Sequence, residues 1–381
     1  MKKSFVCIFP GLDNAHLTKD IGQIGNAFSE LADVQSSIVC YGDKEYPTLK
    51  TETKNQSIVR VEDKGRVLFF EKAILRYLRR EAKNIDILHV QQLNKADIYQ
   101  VLLYKFLNPK GKILLKQDMH IPDLEKGIRY SRKGLFNSFH KFFEKKAHEK
   151  IDLIAVDSND LLKAYGKEYP ETQNKLVVLS HNLNDRYIKE HFPIRKSFQE
   201  KENIILTTGR IGAADKNYEM LLDTLPLLDL QDWKVYLVGE IHNDFDQKID
   251  QLIIDNPQLK DKLFYTGQID ERVALYEYYN RAKVFCLTSV LESFGVSFIE
   301  ALFFNNYIVG TTGMSSFDYI SNQGKLGEKV EVNDTKELAK RFNHLIRNEN
   351  IIEEMGEKAH QHVSEHFFLS TNIQVLKRLL D

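Results

Sequence analysis

Leu287-Thr288-Ser289-Val290-Leu291-Glu292-Ser293-Phe294-Gly295-Val296-Ser297-Phe298-Ile299-Glu300-Ala301-Leu302 is the stretch on which the reading of this chain turns. The apolar run Val284–Leu287 leads into it, so a strand is expected to pass through a short loop into a helix that starts between Ser293 and Gly295. Glu292 then lies in the loop and Glu300 within the helix. Glycine at 295 lets a ligand come close to the backbone, and amides at a helix N-terminus suit an anionic phosphate. Glu300 lies on the order of 7 Å further along the helix axis, about the span from a distal phosphate to a ribose. Its carboxylate is a good acceptor for two ribose hydroxyls. Two glutamates at this spacing are, by themselves, ordinary solvated helix charges; the whole string is far more specific.

Working outward, short apolar runs alternate with longer amphipathic stretches from end to end. Ser4–Phe9, Ser37–Cys40, Ile85–Val90, Lys112–Lys116 and Leu153–Val156 read as buried parallel strands. Helix-like segments such as Leu17–Leu31 and Glu71–Ala82 lie between them. The second half repeats the pattern with Ile204–Thr208, Lys234–Val238, Leu263–Thr266, Val284–Leu287 and Tyr307–Gly310. This alternation predicts an α/β protein of doubly wound sheets, with ligands at the carboxyl ends of the strands. A polar stretch with Pro193 and no clear strand, residues 186–202, marks the break between two domains.

Further motifs follow the strands of the second half. Residues 204–217, IILTTGRIGAADKN, run a strand into Gly209-Arg210 and a loop with Lys216-Asn217 before a helix. Two cations at a strand's carboxyl end can balance a diphosphate and stabilise it as it leaves. Val238-Gly239-Glu240 and Thr266-Gly267-Gln268-Ile269 are strand-end turns able to touch a nucleobase through backbone groups, each a weak signal alone. In this order the motifs resemble the signature of the retaining family-4 glycosyltransferases of the GT-B fold, over roughly residues 204–345. The resemblance implies two Rossmann-like domains facing a central cleft: 1–185 for the acceptor, 203–360 for the nucleotide sugar, and a helix in 361–381 crossing back to the first domain. It also implies that Glu292 contacts donor-sugar hydroxyls, Glu300 the ribose, and Arg210 with Lys216 the diphosphate. Gly209, Gly267, Ile269, Ser293, Phe294, Gly295 and Val296 would line the donor.

The N-terminal half departs more from the family. Its first strand is followed by Phe9-Pro10-Gly11-Leu12-Asp13-Asn14, with Gly11 as the one glycine where the family has several; Gly11 is the candidate for approach to the donor phosphates. LLKQDMH places Asp118 and His120 at a strand end, and the family has a His beside the donor sugar in this region, which makes His120 a catalytic candidate. LSHNLND (179–185) lacks the proline and glycine of the family's turn there, and His181 with Asn182 reads as hinge without chemistry. Phe303-Phe304-Asn305-Asn306 replaces a small-residue turn. Asp244-Phe245-Asp246 looks like the Asp-x-Asp metal motif of the other major glycosyltransferase fold. It follows the Val-Gly-Glu turn and leads into a helix, so solvated helix-start acids are the expectation and no metal is assigned.

Composition fits this picture. The 381 residues are comfortable for two domains, and 43% hydrophobic with 28% charged is a globular balance. A net charge of -1 hides an asymmetry: residues 1–200 carry 34 Lys+Arg against 26 Asp+Glu (+8), and residues 201–381 carry 19 against 28 (-9). Cys7, Cys40 and Cys286 each sit in an apolar run without metal-ligand spacing, which suggests buried thiols and a cytoplasmic setting. No run approaches the ~18 apolar residues of a membrane span. Residues 126–150 hold eight Lys/Arg against two Glu, with Phe136, Phe139, Phe142 and Phe143 interleaved. Those rings either pack on the first sheet or dock, with the charge, on an anionic lipid or acceptor. Nucleic acid is not expected, because no binding motif accompanies the charge. The expected activity is a retaining, metal-independent transfer from a nucleotide diphosphate sugar, with UDP favoured and no cofactor, to a hydroxyl of a glycan, lipid-linked or protein-linked acceptor. The rivals are a silent GT-B subunit that scaffolds a partner transferase and an epimerase of the same architecture.

Overall fold

The computed structural model describes residues 2–31, 34–62, 65–67, 70–119, 121, 124, 135–292 and 294–379. The chain forms two compact units, residues 1–185 with 369–381, and residues 186–368. In the first unit the strands are β1 (Lys3–Ile8), β2 (Val34–Tyr41), β3 (Gln56–Val61), β4 (Arg66–Val67), β5 (Phe70–Glu71), β6 (Ile87–Gln91), β7 (Lys112–Gln117), β8 (Leu153–Val156) and β9 (Leu176–Val178). β4 and β5 form a small antiparallel pair. The other seven make one sheet in the order β3-β2-β1-β6-β7-β8-β9, with every pairing parallel.

The central strands are near-continuous apolar runs because both faces are covered. On one face Leu88, Val90, Ile113, Leu115, Ile154 and Val156 take side chains of the helices Lys72–Glu81, Lys95–Leu107, Leu135–Lys150 and Asn159–Glu168. The opposite face buries Phe5, Ile87, Leu114, Leu153 and Ala155 under Ile24 and Phe28 of the helix Asp20–Leu31. Leu369, Ile373 and Leu376 complete that core, so the chain's end packs on the first unit. Residues 361–368 belong with the second unit.

The segment expected as one helix, Leu17–Leu31, is broken into Asn14–Leu17 and Asp20–Leu31. Gly22 makes the break possible: a Cβ there would stand 2.2 Å from the Leu17 carbonyl oxygen. The break sets Asp20 at the head of the second helix, with its carboxylate buried.

The second unit holds β10 (Glu202–Thr208), β11 (Lys234–Val238), β12 (Leu263–Tyr265), β13 (Ala282–Cys286), β14 (Tyr307–Thr311) and β15 (Gly327–Val330). They form a parallel sheet in the order β12-β11-β10-β13-β14-β15. The strand order therefore reverses between β10 and β13 here, and between β1 and β6 in the first unit. In open α/β sheets the crevice at such a reversal, beyond the carboxyl ends, is the natural ligand site. The polar stretch 186–202 carries the helix Asp185–His191, and Phe192 beyond it packs edge-on against Phe304 at 5.1 Å, inside the second unit.

Candidate functional site

At the reversal in the second unit, three strand-end turns are stitched into one surface. Gly209, after β10, has φ 141° and Gly239, after β11, has φ 148°. A Cβ on Gly239 would lie 1.8 Å from the Gly209 carbonyl oxygen, so the two turns touch backbone to backbone. The Gly209 N–H donates to Val238 O at 3.0 Å and the Gly239 N–H to Gly267 O at 3.0 Å. Across the crevice the loop after β10 is sewn to the loop after β13. Thr288 Oγ1 donates to Asn217 O at 2.9 Å, and the Val290 N–H to Asp215 O at 3.0 Å. The Glu292 N–H donates to Gly313 O at 3.1 Å, which fixes the glutamate's backbone from the far side.

Gly295 precedes the helix Val296–Phe303 with φ 78°. A Cβ on it would sit 2.6 Å from Met314 Cε. The left-handed backbone at this position favours glycine.

The charged residues of the motifs converge as pairs. Lys216 Nζ and the Glu292 carboxylate are in direct contact, at side-chain exposures of 18% and 17%. Arg210 Nη2 donates to Asp215 Oδ2 at 2.8 Å in a more exposed pair. Glu300 is buried, and its Oε1 accepts from Arg272 Nη2 at 3.1 Å and from the Tyr276 hydroxyl at 3.3 Å. The Arg272 guanidinium also lies over the Tyr276 ring, 4.9 Å from its centroid. Protein donors therefore orient Glu300 through its Oε1. Beside it, burial and then the Glu300 carboxylate push the Tyr279 phenol well above its usual range, and its hydroxyl is 2.8 Å from Thr208 Oγ1. Three cations thus face three carboxylates.

Residues 188–362 match the family Glycosyl transferases group 1. The match covers nearly all of the second unit. An alpha-1,4-N-acetyl-D-galactosaminyltransferase of Campylobacter jejuni, named for a GalNAc-GalNAc-diNAcBac-PP-undecaprenol substrate, is 28% identical over 54% of this chain. The match spans 55% of that relative, so the chain covers about half its length. A glycosyltransferase from Rickettsia africae has the same fold over 100% of this chain and 99% of its own, with TM-score 0.74 and 18% identity. The Anabaena protein HepE, solved with UDP and glucose, superposes over 99% of both chains with TM-score 0.70 and 12% identity. Both units are those of GT-B glycosyltransferase structures, two parallel sheets with flanking helices.

Within the second unit, Ile269 and Val296 are half-buried near their turns, and Gly267 has φ 72°. The Phe294 ring is buried, with its centroid 6.2 Å from that of Phe367. Ser293 and His120 lie outside the described residues. Gly11 is exposed, and a Cβ there would meet nothing within 4 Å, so no local packing demands glycine. Asp244 precedes the helix Phe245–Asp255 at φ 53°, Asp246 lies in its first turn and the Phe245 ring between them is buried. Those carboxylates sit at a helix start. His181, read as hinge, instead joins a buried ion network in the first unit. Asp215, Arg272 and Tyr276 were missed; the Arg-x3-Tyr spacing that puts the last two on one helix face was the available signal.

Proposed function

We propose that this chain transfers a sugar from a nucleoside diphosphate sugar to a hydroxyl, with retention of anomeric configuration and without a metal. The observation that carries the reading is the meeting of Arg210, Lys216, Glu292 and Gly295 at one strand-order reversal, with Glu300 on the helix behind. Arg210 and Lys216 would neutralise the departing diphosphate, and the helix amides after Gly295 add donors to it. Glu292, released from Lys216 by that diphosphate, would be free to accept hydrogen bonds from the donor sugar. Glu300, aligned by Arg272 and Tyr276, would hold the ribose. The acceptor hydroxyl would attack from the face the diphosphate leaves, with a donor phosphate oxygen as base. The UDP in HepE and the lipid-linked substrate in the Campylobacter relative's name favour UDP and a lipid-linked glycan here.

A thermal-shift titration tests the donor reading. UDP, GDP or ADP at 100 times its dissociation constant should stabilise the protein by about 2.7 kcal/mol. If none of the three moves the melting temperature at millimolar concentration, the donor site is refuted. Two substitutions then separate the carboxylates. Glu300→Gln gives up a charged acceptor worth about 1.5–3 kcal/mol, so UDP affinity should fall roughly ten- to a hundredfold by calorimetry. Glu292→Gln should spare UDP binding and depress turnover. Wild-type binding and equal residual donor hydrolysis in both variants would favour the scaffold reading.

A lipid-linked acceptor requires access to a membrane surface, and no helix among the described residues is long and apolar enough to cross one. Peripheral docking is the corresponding proposal. The helices Lys72–Glu81, Lys95–Leu107 and Leu135–Lys150 cover one sheet face. They present Phe106 at 81% and Phe142 at 56% exposure, with Lys146 Nζ 5.9 Å from the Phe142 ring centroid. Phe143 packs inward, while the side chains of Phe136 and Phe139 lie outside the described set. Phosphatidylglycerol vesicles should retain the protein at low salt and release it as salt rises, with Phe106→Ser weakening retention. Equal, negligible retention on neutral and anionic vesicles would refute docking.

A further inference from the structure

Outside the donor site, five ionisable side chains meet on one face of the first unit's sheet. Lys116 lies near the end of β7, Asp118 just past it, Asp157 just past β8 and His181 beyond β9, while Asp20 opens the helix Asp20–Leu31. Lys116 is wholly buried, in direct contact with Asp157 and 3.1 Å from Asp20. His181 Nδ1 is 3.2 Å from Asp20, and its Nε2 is 3.3 Å from Asp118 and 3.7 Å from Asp157. Beneath them, His89 on β6 is fully buried, and burial, before any other influence, pushes its imidazole down to about 4, so it is neutral. Three carboxylates therefore face two cations.

Replacing an interior ion network by apolar packing is often neutral or stabilising, so a network kept at the ligand end of a sheet calls for a role beyond stability. A metal ion is a poor occupant, because the Lys116 ammonium already bridges Asp20 and Asp157 and His181 has a carboxylate at each ring nitrogen. An anionic ligand would meet net negative charge. Asp118, at 26% side-chain exposure, is the carboxylate a ligand can reach; Asp20 and Asp157 are closed off.

Asp118 is also fixed. Its carbonyl oxygen accepts from Gln92 Nε2 at 2.8 Å, and the preceding Gln117 Oε1 accepts from the Leu93 N–H at 3.0 Å. Burial pushes the His181 imidazole down, yet Asp20 and Asp157, with hydrogen bonds to Asp118 and Asp20, hold it up at about 10. Burial pushes the Asp118 carboxyl up, and the hydrogen bond and charge of His181, with Asp157 and Lys116, together outweigh this and hold it at about 2. So acidic a carboxyl is a poor proton acceptor but a good hydrogen-bond acceptor.

We infer that Asp118, oriented by His181, accepts hydrogen bonds from the hydroxyls of a neutral sugar bound at the carboxyl ends of β7 and β8, as part of the acceptor site. This rests on the transferase reading, which assigns an acceptor to the chain. Lys116, Asp20 and Asp157 hold His181 in place and do not touch the sugar. The exposed carboxylate suits a donor-rich ligand and repels an anionic one, and the hydroxyls of the sugar in the transferase reading are such donors.

The test is saturation-transfer NMR on the full chain with the methyl α-glycosides of glucose, galactose, N-acetylglucosamine and N-acetylgalactosamine, and with methyl glucuronide. UDP titration of the same samples tests the donor reading separately. The wild type should bind at least one neutral glycoside in preference to the glucuronide. Asp118→Asn should weaken that glycoside at least tenfold and raise the relative binding of the glucuronide, with UDP affinity within twofold of wild type. Asp118→Glu, which keeps the charge but displaces it, should weaken the glycoside and retain the neutral preference, a readout that mere damage to the fold would not give. His181→Gln should act in the same direction as Asp118→Asn with a smaller loss. No neutral glycoside bound by the wild type, unchanged binding in Asp118→Asn, or Zn²⁺ held by the wild type and lost in His181→Gln would each overturn the proposal. Loss of UDP binding in the wild type would count against the donor site instead.

Discussion

Lys216→Ala is expected to slow sugar transfer by roughly 30- to 900-fold, the rate equivalent of about 2–4 kcal/mol of lost charge stabilisation on a leaving group. The stability cost should be small, because the pair with Glu292 is partly solvated and salt bridges of that kind contribute about 1 kcal/mol or less. The ion pair makes the prediction sharper than a simple deletion. Without Lys216, the Glu292 carboxylate stands in the diphosphate's place with no cation beside it, and it repels the donor. UDP affinity should therefore drop in Lys216→Ala and partly recover in Lys216→Ala with Glu292→Gln. The two substitutions should be non-additive in calorimetry, as expected for groups in contact. Arg210→Ala should cost less than Lys216→Ala, since its pair with Asp215 is more exposed and more strongly screened. Wild-type turnover in Lys216→Ala, measured by steady-state kinetics with saturating acceptor, would place the loop after β10 outside the reaction.

Where residues are apolar and consecutive, the sequence was enough to locate structure. Leu153–Val156 and Lys234–Val238 were placed to the residue, because central strands covered on both faces leave no polar interruption. The strands β3, β9 and β15 were not foreseen. Each lies at the edge of its sheet; β9 is only three residues long, and β3 and β15 carry polar residues such as Gln56, Arg60, Glu328 and Lys329, so their pattern resembles a loop. The strand-end turns of the second unit were legible because each is local: a strand end, a glycine and a charge within a few residues. Pairing between motifs was not. Nothing within residues 204–217 indicates that Lys216 meets Glu292, or that Arg272 and Tyr276 occupy one oxygen of Glu300; those contacts depend on which strands become neighbours. His181 shows the same limit. Its partners Asp118 and Asp157 come from two other strand ends and Asp20 from the start of a helix, and only the assembled unit brings them together.

Lys116→Met is expected to destabilise the first unit by about 3–5 kcal/mol, the usual cost of removing one member of a buried charged set and leaving the others. Methionine fills the lysine's volume and adds no cavity, so the loss reports the stranded carboxylates of Asp20 and Asp157. Chemical unfolding should show an early first transition with the second unit's transition unchanged, since the network lies wholly in residues 1–185. The pH dependence follows from signs. His181 is raised above its ordinary value to about 10, so its contribution is complete below pH 6.5 and is lost as pH rises through about 10. Asp20 and Asp118 lie below their ordinary value of 3.8: burial pushes both up, and Lys116 with His181 at Asp20, and His181 first at Asp118, outweigh it. Their contribution is present above pH 3.8 and lost as pH falls through the folded values. Burial pushes the Asp157 carboxyl up to about 6, so it protonates below that pH, and the difference in stability between the wild type and His181→Gln should be widest near pH 6 to 6.5 and should close by about pH 11. A difference that stays constant from pH 5 to 11 would mean that His181 is neutral in the native protein, and the ion network would then lose the cation that orients Asp118.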